Sequence, residues 1–259
     1  MNNYYDWSYR CIHITKTIKV MTHVKNAEAF ARLISFCNGY GGKYNPARPN
    51  LQMDALVNQM AETQAAIENV RIFKTAFDNE ANTRKQIFQK LRPFVASVLR
   101  TLEASGATPE KLDDARTFVQ LITGKTRRKS TTIPATTEVK PVIQRSHLQL
   151  AYVSKADAFA KLIKAVMTEP LYQPREIEFG QEVMDAKLIE LNLVNRKVSD
   201  ARALWSKAII ERNKVMYDKE VSIIKTARSV KKYVRAIYGP SSQEYALLKA
   251  LDIQTISID

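Results

Sequence analysis

A mostly α-helical fold is predicted by three features of this sequence. Glycine occurs only seven times in 259 residues, too sparsely for the tight turns of an all-β chain. Residues 181–238 run for 58 positions without a glycine or proline. Within that run Ile223, Ala227, Val230, Val234 and Ile237 recur at alternating spacings of four and three, the stripe of an amphipathic helix packed on other helices. With 45% hydrophobic and 25% charged residues, the chain has globular proportions and fits one large or two modest domains.

Taken in order, residues 9–24 place Ile12, Ile14, Ile18 and Val20 on even positions, the period-2 pattern of a half-buried strand. The next stretch, V-K-N-A-E-A-F-A-R-L-I from Val24 to Ile34, has helical composition. Beyond Tyr44-Asn45-Pro46 an apolar seam runs through Leu56, Met60, Ile67, Val70, Phe77, Ala81, Phe88, Leu91, Val95, Val98 and Leu102, interrupted by Thr63, Lys74 and Arg84. The Asp/Asn-rich stretch 78–83 suits a turn, whereas the unbroken spacing suits one long bent helix, and both readings stay open; Pro93 would kink such a helix near Gln89 or begin a new one. Thr108-Pro109-Glu110 is a helix start, with threonine as cap and proline in the first turn. Residues 124–146 lack helical periodicity and are rich in Thr, Pro and basic residues, the composition of an extended linker. Ser241 or Ser242 starts a short helix through Leu251, and the residues from Asp252 alternate again. Strands at the start, in residues 147–152 and at the end are therefore expected to form a small sheet.

The segment Val24–Ile34 returns as V-S-K-A-D-A-F-A-K-L-I from Val153 to Ile163, with seven of eleven residues identical at a register of 129. Tyr44-Asn45-Pro46 answers Tyr172-Gln173-Pro174, and Val70, Phe77 and Arg84 answer Val198, Trp205 and Arg212 at a register of 128. Leu91, Val95, Val98 and Leu102 answer Ile223, Ala227, Val230 and Val234 at a register of 132. The slip of four residues is close to one helical turn, so the buried face is kept. An internal repeat is expected: a first helical copy in residues 1–123 with its N-terminal strand, a linker at 124–146, and a second copy in 147–259.

The 40 Lys and Arg against 26 Asp and Glu leave a net charge of +14, with +5 in residues 1–50 and +5 in 201–259. Such a balance permits nucleic acid, an anionic surface or an acidic protein as partner. Lys225, Arg228, Lys232 and Arg235, with Lys231 beside them, follow the rhythm of the last long helix about 200° from its apolar seam. They form the sharpest candidate for phosphate or partner binding, with the linker run Lys125, Arg127, Arg128 and Lys129 as an addition. At the matching places of the first copy stand Pro93, Ala96, Arg100 and Glu103, so the stripe is no general property of the repeat.

Other chemistry finds little support. The glycines of Asn38 to Lys43 precede Tyr44, not the Ser or Thr that a phosphate loop places after its lysine. Cys11, His13 and His23 lack metal-ligand spacing and a fourth ligand, and Cys37 has no histidine close by in sequence. Glu176, Glu178 and Glu182 complement a helix N-terminus. No catalytic residue, metal or cofactor is assigned. Residues 1–10 lack the basic start and apolar run of a secretory signal, and no stretch has the ~18–20 apolar residues of a membrane span, so a cytoplasmic protein is expected.

Tyr172-Gln173-Pro174, Ala201-Arg202, Arg212-Asn213, Tyr217 and Val230-Lys231-Lys232-Tyr233-Val234 before Gly239 give the chain a resemblance to a group of mostly helical Bacteroidota proteins with no assigned activity. The run N-G-Y-G-G-K-Y-N-P from Asn38 to Pro46 is similar to their N-terminal halves. The resemblance implies a bacterial origin and transfers no functional residue. The sequence as a whole leads us to expect a mainly α protein of two tandem helical repeats. Its expected role is structural or assembly-forming, through contact with copies of itself or other proteins, with nucleic-acid binding by the basic helix as the alternative.

Overall fold

The structure, a computed structural model, describes residues 4–124 and 144–255, with side chains for 22–124 and 151–255. Its described elements are seven α-helices: α1 Tyr4–Gly39, α2 Met53–Ala104, α3 Pro109–Thr123, α4 Gln144–Met167, α5 Gln181–Tyr217, α6 Ile223–Tyr238 and α7 Gln243–Lys249. Single 3-10 turns at Gly41–Lys43, Pro49–Leu51 and Ile177–Phe179 punctuate the connections. The protein is mainly helical. It divides into two compact units, Met1–Thr75 with Ala203–Asp259 as unit 1 and Ala76–Arg202 as unit 2.

The expected sheet is not formed among the described residues. Residues 9–24 belong to α1 and residues 147–152 to α4. β-branched residues favour strands only weakly, and a strand needs a neighbour to satisfy its backbone. With no glycine or proline from Tyr4 to Asn38, each of these backbone groups finds its partner four residues away in the same helix. The segment Leu251–Thr255 has no regular secondary structure and makes no ladder, and residues 256–259 lie outside the described part, as do residues 125–143 of the expected linker.

The breaks do not fall where the residue types alone would put them. Pro93 lies inside α2, which continues through it and through residues 78–83 as one helix of 52 residues. Conversely, the 58-residue run free of breakers is cut between α5 and α6. There Asp218 Oδ1 accepts hydrogen bonds from the backbone N–H of Glu220 (2.7 Å) and Val221 (3.2 Å). Ser222 Oγ then caps α6 by accepting from the Lys225 N–H at 3.4 Å. The four-residue slip in the internal match falls at this turn. At the other end of α6, Gly239 takes φ 91°, a left-handed conformation that only glycine adopts without strain.

Unit 1 buries Phe30, Leu33 and Cys37 of α1 with Leu51, Leu56, Met216 and Leu248 around Ile223, Ala227, Val230 and Val234 of α6. The seam read from the sequence is thus the inner face of α6 down to Val234. Its last member, Ile237, is 51% exposed, while Tyr238 beside it packs against the core. In unit 2 Phe159, Leu162 and Val166 of α4 pack with Ala115, Val119 and Ile122 of α3 around Leu91, Val95, Val98 and Leu102 of α2.

The polar interruptions of the α2 seam are accommodated locally. Thr63 is buried and returns its hydroxyl hydrogen to the Gln59 carbonyl at 2.8 Å. Lys74 lies 5.4 Å over the Trp205 ring in unit 1, and the Arg84 guanidinium 4.2 Å over the Tyr152 ring in unit 2. In each unit a tyrosine ties down the entry to a long helix. Tyr44 donates its hydroxyl hydrogen to the Leu51 carbonyl at 2.7 Å, and Tyr172 to the Phe179 carbonyl at 3.2 Å, both seven residues on.

Val230 is fully buried, so Val230→Asp leaves an unpaired charge in the unit 1 core and should cost about 3–5 kcal/mol. Urea unfolding measures it. A loss within about 0.5 kcal/mol, the range of surface substitutions, would place Val230 outside the core.

Candidate functional site

The basic residues of α6 become a surface because the helix is strongly two-sided. Burying Ile223, Ala227, Val230 and Val234 leaves Lys225, Arg228, Lys232 and Arg235 exposed on the opposite side, while Lys231, at the edge, is half-buried. All five come together as the spacing predicts. Lys125, Arg127, Arg128 and Lys129 lie outside the described residues.

Much of this surface serves the chain itself. Lys225 Nζ donates to the Lys219 carbonyl at 2.6 Å, tying the α5–α6 turn to the helix it precedes. Arg228 Nη2 donates to Thr255 Oγ1 at 2.8 Å, and Lys231 Nζ to the Leu251 carbonyl at 2.6 Å. Burial lowers the proton affinity of Lys231, against the pull of Asp252. The Arg235 guanidinium lies 5.9 Å from the Tyr245 ring of α7. Among the described residues none of Lys225, Arg228, Lys232 and Arg235 forms an ion pair with a carboxylate.

One residue that matters here escaped the sequence reading. Asn26 is only 1% exposed and stands on the apolar face of α1, four residues before Phe30 and seven before Leu33. Its carboxamide Nδ2 donates to the Gln254 carbonyl at 2.8 Å, and its Oδ1 accepts from the Gln254 N–H at 2.9 Å. The same Nδ2 lies 3.3 Å from the Tyr217 hydroxyl, which also meets His23 Nδ1 at 2.7 Å. A polar residue on a buried stripe was the available signal. The internal match obscured it by setting Lys155 opposite.

The remaining candidates have structural surroundings. Gly41–Lys43 forms a 3-10 turn that leads into an irregular segment, not a helix. His23 is buried against Tyr217, while the side chains of Cys11 and His13 are outside the described set. Among the described residues no three of His, Cys, Asp and Glu gather as a metal site would require. Glu176 and Glu178 are exposed, and Glu182 sits in the first turn of α5. No helix among the described residues is long and apolar enough to cross a membrane. Compared with known proteins, the chain matches no family model, no curated protein and no solved structure.

Cys37 is buried beside the Tyr44 hydroxyl, and burial pushes its thiol from an ordinary 9.0 up to about 12. Burial, with Cys37 close by, also pushes Tyr40 up to about 12. Both groups are neutral in the folded chain and ionise more readily when it unfolds. Their stabilising effect is complete below about pH 9 and is lost as pH rises toward 12. Denaturant midpoints measured from pH 8 to 11 should fall accordingly, and Cys37→Ser should flatten the part of that fall due to the thiol. Alkylation of Cys37 at pH 8, located by peptide mass, should be slow in the native chain and fast in urea.

Proposed function

We propose that this chain is a non-enzymatic structural protein that assembles with further copies of itself through its long helices. The observation that carries the reading is a pair of exposed apolar residues on one face of the unit 1 part of α2, with Gln64 and Glu68 between them. Val57 and Ile72 are 52% and 54% exposed, on the same side of the helix as the exposed Ala61 and Ala65. The face is self-complementary. An antiparallel contact with a second copy, centred between Gln64 and Ala65, sets Val57 against the second copy's Ile72 twice, roughly 22 Å apart, with Ala65 beside Gln64 at the middle and Ala61 beside the exposed Glu68 between. Further exposed apolar residues on α5, Ile189 and Leu193 in unit 2 and Leu204 and Ile210 in unit 1, are supports of the same kind.

The tandem repeat is part of this reading. It is supported by the shared tyrosine-to-carbonyl bonds seven residues long and by the i,i+4 ion pairs Glu28–Arg32 and Asp157–Lys161 in matching places. A repeated architecture with more than one contact surface can close into a ring or extend as a filament. Sedimentation from micromolar to millimolar concentration should show species larger than the 29.5 kDa chain. Val57→Glu with Ile72→Glu should return it to that mass without changing its helical content. A wild-type chain that stays at 29.5 kDa throughout rejects the proposal.

A second reading, nucleic-acid binding by α6, is favoured by four exposed cations that pair with no carboxylate among the described residues. Phosphate contacts release counterions, so four of them give a slope of log K against log salt of about −3.6 on duplex DNA, with little dependence on sequence. Replacing Lys225, Arg228, Lys232 and Arg235 by Gln keeps helix propensity and should abolish most affinity. Equal retention of both chains at low salt would leave the stripe a solvated face.

A further inference from the structure

Two places that answer each other in the internal match differ in what fills them. Tyr44 in unit 1 and Tyr172 in unit 2 correspond at a register of 128, and each gives its hydroxyl hydrogen to a carbonyl seven residues on. In unit 1 the Tyr233 ring of α6 meets the Tyr44 ring edge-on, with centroids 5.4 Å apart. The register of 132 that sets Val98 against Val230 and Leu102 against Val234 sets Thr101 of α2 against Tyr233. Thr101 and Tyr172 both line an open cleft of about 520 Å³ in unit 2. A threonine is shorter than a tyrosine by a whole ring. Unit 2 thus has open space beside its tyrosine where unit 1 carries an aromatic group.

The walls of the cleft suit a ring that bears a negative charge. Tyr172, Pro174 and Phe179 contribute apolar surface, and Arg100 and Arg175 contribute charge. Both arginines are exposed, and among the described residues neither pairs with a carboxylate. Glu176 is the one carboxylate of the lining, which leaves an excess of one positive charge. The hydroxyls of Thr101 and Ser105 already donate to the Ser97 and Leu102 carbonyls of α2, at 3.1 and 2.8 Å. The guanidinium groups are therefore the charged donors left to the cleft, and such a group holds a carboxylate through two parallel hydrogen bonds.

We propose that this cleft binds a small aromatic acid, with its ring beside Tyr172, as Tyr233 lies beside Tyr44, and its carboxylate on Arg100 and Arg175. The inference rests on the tandem-repeat part of the reading above and is independent of self-assembly, which sedimentation tests separately.

The probe is 4-hydroxyphenylacetate, a tyrosine-like ring ending in a carboxylate, and its uncharged counterpart is 4-methylphenol. Ligand-observed NMR titration of the full-length chain should give a dissociation constant of about 1 mM or below for the acid, the range open to a ligand of this size. No binding at ten times that concentration overturns the site. The uncharged ring should bind at least tenfold more weakly, and equal binding overturns the acid as the ligand class. Arg100→Gln with Arg175→Gln should weaken the acid at least tenfold, to the level of 4-methylphenol; unchanged affinity overturns the role of the arginines. Thr101→Tyr puts into unit 2 the ring that unit 1 carries and should abolish binding. A folded Thr101→Tyr chain that binds as the wild type does overturns the ring position, and with it the correspondence of the two places. Should that variant fail to fold, the arginine pair decides the site, since both residues are exposed and their replacement leaves the core untouched.

Discussion

The unit 1 core depends on one helix having an inner face it cannot bury alone. A sixteen-residue helix with its apolar residues along a single stripe is marginal in water. Removing that stripe from water is the largest favourable term open to it. Phe30 and Leu33 of α1, Leu56 of α2, Met216 of α5 and Leu248 of α7 all converge on Ile223, Ala227, Val230 and Val234. The outward direction of the basic residues, the approach of Lys231 to Leu251 and the turn capped by Ser222 follow from that one orientation. In unit 2 the part of α2 from Phe88 to Leu102 is buried, with α3 and α4 around it.

Around these cores, side-chain hydrogen bonds to main chain do the joining. Tyr44 and Tyr172 pin irregular segments whose backbone groups lack a ladder. Asn26 does the same for an irregular segment more than two hundred residues away in sequence. Such bonds contribute modestly to stability when made and cost more when one partner is left buried alone. Their value lies in specifying one arrangement among many of similar apolar burial.

This economy shapes what the surface can do. The cations of α6 form one face because of helical geometry, yet Arg228 and Lys231 already serve the chain's own segment after α7. A stripe that looks like a phosphate track in sequence in part holds the chain's own residues 251 and 255. Net charge reveals that a surface is basic; only packing reveals what already lies against it.

The sequence by itself determined the helical class, the inner and outer faces of α6, and the course of the α2 seam, because helical periodicity is local and each buried face repeats every three or four residues. It also marked the helix start at Pro109 and the end at Gly239. Residues 9–24 misled, since alternation of β-branched residues is a weak preference that loses to an uninterrupted helix when no strand stands beside it. The break at Asp218–Ser222 and the continuity through Pro93 were decided by capping and by packing along the helix, which residue types alone do not express. Only tertiary structure could bring Asn26 to Gln254 and divide α2 and α5 each between two cores. Those arrangements rest on contacts between residues far apart in the chain, and no local pattern encodes which distant partner a buried polar or apolar group will meet.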